Sequence, residues 1–355
     1  MQQISRRGAM RLAAGGMTSV ALVGMGFGGV EAATPPALAI TPYVHPELRK
    51  IVPTLVKTAG VVPSDATIAA HRKAMVRFSL PPLSAPAWTE RSIPGLPGSP
   101  EVPVLIINAA PDGPPRPIIL YIHGGGFVMG TARLSIRGAQ EVAAALNCVV
   151  VSVDYRLAPE TRFVGSLADN YAALKWVHQH AAELGGDATR IAVMGESAGG
   201  GHAAMLTIAA RDRGEVPIAF QALVYPMLDD RTGSSTPVPP YIGTLIWTPA
   251  HNRYGWSALL GVPAGSRRVP NGAVPSRVAN LRGLPPTFIG VGSIDLFANE
   301  DIEYARRLIS SRVSTQLEVV PGAFHGFDII PGTTIGPRFK DTLYTALRTA
   351  LAAAA

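Results

Sequence analysis

The sequence Gly-Glu-Ser-Ala-Gly at residues 195–199 constrains the fold of this chain most, because of the segments on either side of it. Residues 190–194 predict a β-strand, and residues 198–206 predict the start of a helix. A serine on such a strand–turn–helix junction has its hydroxyl exposed above the sheet, and flanking glycines avoid collisions with neighbouring elements. The helix N-terminus also favours negative charge there. The pattern indicates that Ser197 is a covalent nucleophile, with an ordinary glycine-rich turn as the alternative.

A second glycine-rich segment, His-Gly-Gly-Gly-Phe at residues 123–127, follows a predicted buried strand at residues 117–122. Acyl transfer places negative charge on the former carbonyl oxygen, and backbone N–H groups aimed at that oxygen stabilise it. Consecutive glycines allow a loop to approach a substrate with no side chain in the way. We expect an oxyanion hole formed by the N–H groups of Gly125, Gly126 and Ala198. A flexible turn is the alternative.

An acid and a base are expected downstream, in the order serine, acid, histidine. Asp295 follows a predicted strand at residues 286–292, and His325 follows another at residues 316–320. Catalytic groups of α/β sheets gather at the carboxyl ends of strands, which fits both residues. His325 would take the serine proton, and Asp295 would orient the imidazole. Asp301 is the competing acid, but it lies in the first turn of a predicted helix, where acids suit the helix dipole.

Together these motifs resemble the hormone-sensitive-lipase-like branch of the α/β-hydrolases, a family of bacterial esterases. The similarity covers about residues 40 to 350, and it implies Ser197, Asp295 and His325 as a triad beside the oxyanion hole above. It also implies that residues 155–160 form a buried structural loop with an internal ion pair. Three further segments match the family, at residues 154–160 (Asp-Tyr-Arg-Leu-Ala-Pro-Glu), 225–231 (Tyr-Pro-Met-Leu-Asp-Asp-Arg) and 324–327 (Phe-His-Gly-Phe).

The alternation of strands and helices predicts an α/β fold with a mostly parallel central sheet flanked by helices, the α/β-hydrolase fold. The predicted strands are continuous apolar runs, which is typical of strands covered on both faces. The helices expected between and after them lie at residues 167–184, 199–213, 298–312 and 337–354.

The predicted division of the chain places two cap segments around the hydrolase core. In related esterases such segments pack together over the active site. The five parts are an export signal at 1–32, an N-terminal helical cap region at 33–95, the first part of the core at 96–227, a cap insertion at 228–278 and the second part of the core at 279–355.

The insertion holds an aromatic cluster of Tyr241, Trp247, Tyr254 and Trp256. Two interpretations stay open for it. The rings could form a small core for the insertion, or at least one of them could line the acyl pocket.

The first 32 residues predict a bacterial export signal. Arg6 and Arg7 precede a mildly apolar, Gly- and Ala-rich run, and a small-residue cleavage site follows near Ala32. The paired arginines suggest the twin-arginine pathway. We therefore expect an exported protein, periplasmic or extracellular, with an uncleaved anchor as the alternative. No stable membrane span is expected in the mature chain.

Charge and cysteine content exclude several other classes. Removing residues 1–32 lowers the net charge from +7 to about +5, since that segment holds three arginines and one glutamate. The positive residues are dispersed, so a nucleic-acid partner is not expected. The single cysteine, Cys148, cannot form an internal disulfide and is predicted to be a small core residue. No metal-ligand spacing and no phosphate-binding loop is found, so neither a cofactor nor a metal is expected.

The function predicted from these features is serine carboxylesterase, with a small-molecule ester as substrate. The resemblance implies short- to medium-chain acyl esters. An amidase or acyltransferase with the same triad is the first alternative, since only the acceptor and pocket would differ. A non-catalytic ligand-binding protein on this fold is the second, although such proteins lack the histidine that stands here at 325. A homodimer is an expectation from fold relatives alone.

Overall fold

The computed structural model describes residues 40–57, 60–76 and 80–352. Its centre is an eight-stranded sheet with the order β1-β2-β4-β3-β5-β6-β7-β8. The pairs β1–β2 and β2–β4 are antiparallel, and all the other neighbouring pairs are parallel. The strands are β1 (Trp88–Ile93), β2 (Val102–Ile107), β3 (Arg116–Ile122), β4 (Val149–Val153), β5 (Gly186–Glu196), β6 (Phe220–Val224), β7 (Thr287–Gly292) and β8 (Thr315–Val320).

Helices cover both faces of this sheet. Along β3, Ile118 and Leu120 belong to one apolar cluster, and Ile119 and Tyr121 belong to the cluster on the opposite face. Both faces are buried, which explains why the central strands are continuous apolar runs. The α-helices of the described residues are Val52–Lys57, Ile68–Met75, Ile136–Leu146, Phe163–Gln179, Ala198–Arg213, Pro249–Leu260, Ala298–Ser310 and Ile335–Ala350. The predicted fold class is confirmed.

A third apolar cluster lies outside the two faces and joins distant parts of the chain. It contains Ile68 from the N-terminal segment, Phe127 from the glycine-rich loop, and Trp247 and Trp256 from the insertion. The N-terminal segment and the insertion therefore share one small core with the loop that was predicted to bind the oxyanion. The exact domain boundaries stay predictions.

The predicted export signal lies outside the described residues. Within residues 40–57, 60–76 and 80–352, no helix is long and apolar enough to cross a membrane. Cys148 is fully buried immediately before β4, and burial raises the pKa of its thiol to about 12.

Candidate active site

Ser197 lies at the sharp turn between β5 and the helix Ala198–Arg213. Its backbone has φ +57° and ψ −122°, a conformation that residues other than glycine adopt at a cost of about 1–3 kcal/mol. Three backbone hydrogen bonds hold it there. The N–H donates to the carbonyl of Val224 at 2.9 Å, and the Ser197 carbonyl accepts from Gly201 and Met227 at 3.0 Å each. These hydrogen bonds hold the strained backbone from both sides of the turn, and Ser197 keeps 8% exposure.

His325 and Asp295 complete a hydrogen-bonded chain that starts at this serine. The Nε2 atom of His325 lies 2.9 Å from Ser197 Oγ, and its Nδ1 atom lies 2.8 Å from Asp295 Oδ2. The other carboxylate oxygen, Oδ1, accepts from the backbone N–H of Phe297 at 3.0 Å. The structure thus brings all three predicted triad residues together, although 128 residues separate His325 from Ser197.

Two aromatic rings enclose the imidazole. Tyr225 and Phe297 contact His325 edge-on, with ring centroids 4.7 and 5.2 Å away. These rings limit how far the imidazole can rotate away from Ser197, and they lower the local dielectric around its hydrogen bond to Asp295. Neither aromatic contact was foreseen from the sequence, because the two rings belong to loops after different strands.

The competing acid, Asp301, lies elsewhere. It is fully buried in the helix Ala298–Ser310, and neither carboxyl oxygen has a hydrogen-bond partner among the described residues. Burial, with Glu300 and Asp295 nearby, raises its pKa well above the ordinary value, which disfavours the charged form of the carboxyl. An uncharged acid cannot stabilise an imidazolium as a carboxylate does.

Replacing each acid by its amide separates the two positions. We expect Asp295→Asn to lower kcat by roughly 10⁴-fold, because the amide favours the wrong imidazole tautomer. Asp301→Asn should leave kcat within about threefold, since no charge or hydrogen bond to His325 is lost. Ester hydrolysis per folded molecule is the measurement. Equal losses in the two variants would contradict the assignment of Asp295.

The glycine-rich loop forms a tight turn, residues 125–129, called here the oxyanion turn. Gly125 has φ +122° and Gly126 has φ +61°, both in the region that favours glycine. The N–H groups of Val128 and Met129 donate to the Gly125 carbonyl at 3.1 and 3.0 Å and close the turn. The N–H groups of Gly125 and Gly126 have no acceptor among the described residues, so both are free to bind an oxyanion.

The turn lies against the nucleophile. A Cβ atom on the adjacent Gly124 would be only 3.4 Å from the Cβ of Ser197. Ala198, the third predicted donor, is buried at the first position of the helix, where backbone N–H groups lack partners within the helix. All three predicted donors therefore belong to segments that meet at Ser197.

The four aromatic residues of the insertion have different positions. Trp256 is fully buried and packs edge-on against Phe127 at 4.8 Å, as the small-core interpretation predicts. Tyr254 donates its hydroxyl to Asp65, and Tyr241 stacks on Tyr43. Trp247 packs on the oxyanion turn at Gly126 itself. Its ring lies so close to Gly126 that a Cβ there would be 2.1 Å from Cη2.

The expectation of an ion pair within residues 155–160 is wrong. Arg156 binds Asp169 on the helix Phe163–Gln179 at 2.7 Å. Glu160 instead binds Arg72 at 2.7 Å. The two side chains extend toward different helices, and each finds its partner across a tertiary contact. The buried part of the expectation holds for Tyr155, whose hydroxyl donates to the His123 carbonyl at 3.0 Å.

A half-buried acid directly precedes the nucleophile. Glu196 accepts a hydrogen bond from the Tyr121 hydroxyl at 2.8 Å. Burial, and then the nearby Asp328 carboxyl, raises the pKa of Glu196 from its ordinary 4.5 to about 7. Asp328 accepts from the Tyr225 hydroxyl at 2.9 Å, and burial raises its pKa as well.

This raised pKa predicts a pH dependence of stability. Below pH 4.5 Glu196 is protonated whether the chain is folded or not, and its burial has no ionic cost. As the pH rises from 4.5 to 7 the unfolded chain loses this proton first, so stability falls. Glu196 should make the free energy of unfolding on the order of 2 kcal/mol larger at pH 5 than at pH 8. We expect Glu196→Gln to remove this contribution. Urea unfolding at both pH values tests this, and an unchanged difference would contradict it.

No three His, Cys, Asp or Glu side chains of the described ranges are grouped so that they could hold a metal ion. A hydroxyl, an imidazole and a carboxylate in hydrogen-bonded order, beside free backbone donors on a mostly parallel sheet, define a serine hydrolase of the α/β-hydrolase class.

Comparison with known proteins supports the α/β-hydrolase class. The sequence profile of a family described as alpha/beta hydrolase fold matches residues 119–329. The carboxylesterase NlhH of Mycobacterium tuberculosis is 33% identical over 300 residues, which cover 83% of this chain and 91% of that protein. This chain belongs to the alpha/beta hydrolase fold family, and the resemblance to its hormone-sensitive-lipase-like esterases is confirmed.

Solved structures are similar over nearly their whole length. A bacterial heroin esterase is 39% identical with a TM-score of 0.76, and the match covers 88% of this chain and 99% of that one. The esterase LipW from Mycobacterium marinum is 33% identical with a TM-score of 0.73, covering 89% and 98% of the two chains.

Proposed function

We propose that this protein is a serine carboxylesterase that hydrolyses short- to medium-chain acyl esters through an acyl-enzyme. The observation that carries the proposal is the chain of hydrogen bonds from Asp295 through His325 to Ser197, next to the free N–H groups of Gly125 and Gly126. The relatives that match over most of their length are named carboxylesterases and esterases, which supports the same activity.

The geometry supports a two-step reaction. Ser197 Oγ attacks the ester carbonyl while its proton passes to His325 Nε2, and Asp295 stabilises the imidazolium that forms. The carbonyl oxygen becomes an oxyanion that accepts from Gly125, Gly126 and Ala198. Collapse breaks the bond to the alcohol, which takes the proton from His325. Water then attacks the acyl-enzyme with His325 as base, releases the acid and restores the Ser197 hydroxyl.

Short acyl groups are favoured by the names of some relatives. An ethyl acetate hydrolase of Pseudomonas putida is 30% identical over 222 residues, which cover 59% of this chain and 65% of that protein. The Trp247 ring packed on the oxyanion turn also limits the space beside Gly126.

A panel of p-nitrophenyl acetate, butyrate, octanoate and palmitate tests the activity and its chain-length range. We expect the highest kcat/KM on acetate or butyrate and little hydrolysis of palmitate. Matched anilides and added alcohol acceptors, run beside the esters, distinguish an amidase or an acyltransferase. Faster cleavage of anilides than of esters would overturn the esterase assignment.

We also propose that the protein is exported and homodimeric. Export is supported by the paired arginines at residues 6 and 7 and by the apolar run that follows them. Self-association is supported by exposed apolar side chains on the helix Ala298–Ser310, at Ile302 and Ile309, and on the edge strand β8, at Leu317. Fractionation of cells that produce the wild type or the Arg6→Lys, Arg7→Lys variant tests export. Light scattering of the purified protein tests the dimer.

A further inference from the structure

The guanidinium group of Arg72 connects three separate parts of the chain. Arg72 lies on the helix Ile68–Met75, in the segment that precedes the sheet. Its Nε donates to the carbonyl of Val128 at 2.7 Å, and Nη2 donates to the carbonyl of Ala158 at 2.8 Å. Nη1 and Nη2 also donate to the two carboxylate oxygens of Glu160, at 2.8 and 2.7 Å. One side chain thus makes four hydrogen bonds to residues at least 56 positions away.

Two of these acceptors control the shape of the oxyanion turn. Val128 belongs to the turn, and its N–H closes it by donating to Gly125. The N–H of Ala158 donates to the carbonyl of Phe127 at 3.0 Å. Arg72 therefore binds the turn directly at Val128 and indirectly, through Ala158, at Phe127. Both contacts lie within three residues of Gly125 and Gly126, whose N–H groups are free.

The contact with Glu160 orients the guanidinium. Two parallel N–H···O bonds to a carboxylate fix the plane of an arginine, which a lysine cannot reproduce. The hydrogen bonds from Arg72 lower the pKa of Glu160, so the pair stays charged at neutral pH. Because the guanidinium is held by Glu160, its remaining donors are directed at the two carbonyls.

Residues 60–76, the segment that carries Arg72, also contact the insertion. Asp65 accepts a hydrogen bond from the hydroxyl of Tyr254, on the insertion helix Pro249–Leu260, at 3.1 Å. Ile68 is buried in the apolar cluster that also holds Trp247 and Trp256. Residues 60–76 therefore contact both the oxyanion turn and the insertion whose Trp247 packs on Gly126.

Given the esterase activity proposed above, we infer that Arg72 is a positioning residue that makes a competent oxyanion turn depend on docking of residues 60–76. Arg72 does not touch the reacting atoms. Donors of an oxyanion hole must be held within about 0.5 Å of their productive positions, and a turn that begins with two glycines does not hold itself so closely. The four bonds of Arg72 supply that restraint from outside the sheet, so undocking the segment loosens the turn.

Variants of Arg72 test this in the full-length protein, with p-nitrophenyl acetate as substrate. We expect Arg72→Ala to lower kcat by roughly 10- to 100-fold with KM within about threefold, because transition-state stabilisation is lost and substrate binding is not. Arg72→Lys should be intermediate, since it restores a charge without the planar fork. Guanidinium ion at millimolar concentration should restore part of the kcat of Arg72→Ala.

Arg156→Ala is the matched control. Arg156 also forms a two-bonded pair with a carboxylate, that of Asp169, and lies in the same segment as Glu160. It makes no hydrogen bond to the oxyanion turn among the described residues. Arg156→Ala should lose stability, because Asp169 would be buried without its partner, but we expect kcat per folded molecule within about twofold of wild type and no rescue by guanidinium.

Amide hydrogen exchange gives a readout that does not require activity. The N–H groups of Val128 and Met129 should exchange at least about tenfold faster in Arg72→Ala and at the wild-type rate in Arg156→Ala. Unchanged exchange, or equal kcat losses in the two variants, overturns the inference. If Arg72→Ala does not fold, the same comparison is made with Arg72→Lys and Glu160→Gln. Absence of any Ser197-dependent hydrolysis in the wild type is a failure of the proposed function instead, and the exchange result then still decides the role of Arg72.

Discussion

Ser197→Ala is expected to lower the turnover of p-nitrophenyl esters by on the order of a thousandfold or more. The substitution removes the one oxygen that lies 2.9 Å from His325 Nε2 and leaves the base without a group to deprotonate. The backbone strain at φ +57° remains, so the fold should be unchanged apart from a small shift in stability. His325→Ala should cause a loss of similar size, because the members of a triad act as a unit. The measurement is the initial rate at saturating substrate.

A second serine provides the control. Ser166 is more deeply buried than the nucleophile and donates its hydroxyl to the Phe163 carbonyl at 3.3 Å, within its own helix. Ser166→Ala should keep kcat within about twofold of wild type. Equally slow ester hydrolysis by the wild type, Ser197→Ala and His325→Ala would mean that the triad does not catalyse the reaction. A non-catalytic binding protein would then be the better hypothesis.

Gly199→Ala is expected to cost roughly 3 kcal/mol or more of stability and to abolish most activity in the molecules that still fold. A Cβ at this position would lie 2.0 Å from the carbonyl oxygen of Ile122 and 2.6 Å from that of His123. Both atoms are backbone, at the end of β3 and the start of the glycine-rich loop, so neither can rotate away. The helix would have to move, and Ser197 and the oxyanion turn would separate. Thermal unfolding and the rate per folded molecule measure the two effects.

Gly138→Ala is the matched substitution in another helix. A Cβ on Gly138 would have its nearest neighbour, the Tyr121 hydroxyl, at 3.6 Å, which is an ordinary contact. Alanine is a better helix former than glycine, so this variant should gain roughly 0.5–1 kcal/mol. A comparable loss of stability in both variants would show that close packing around Gly199 does not cause the loss in Gly199→Ala.

The nucleophile, its strand–turn–helix setting and the fold class could be predicted because adjacent residues encode them. Apolar runs predict the strands buried on both faces, and the spacing of Gly195 and Gly199 around Ser197 marks the sharp strand–turn–helix junction. The order serine, acid, histidine is that of the α/β-hydrolases, and the carboxyl ends of parallel strands lie at one edge of the sheet. For this reason Asp295 and His325 could be proposed although neither lies near Ser197 in the chain.

Contacts across the fold were decided only by the tertiary structure. The sequence offers two acids six residues apart. The structure hydrogen-bonds Asp295 to His325, and it buries the Asp301 carboxyl without a hydrogen-bond partner in the described part of the chain. The expected pair within residues 155–160 was replaced by pairs with Asp169 and Arg72. Nothing in the local sequence marks Arg72, because its acceptors lie 56 to 88 residues away.

The physical reason for this difference is the distance along the chain over which each kind of interaction acts. Strand formation, helix starts and glycine-dependent turns depend on backbone stereochemistry within a few residues, so a pattern in the sequence is sufficient to predict them. The partner of a charged side chain depends on which distant groups the packed helices place beside it. The same is true of the pKa of a half-buried carboxyl such as that of Glu196. The sequence by itself determined the chemistry of the site, and the tertiary structure decided which side chains hold that chemistry in place.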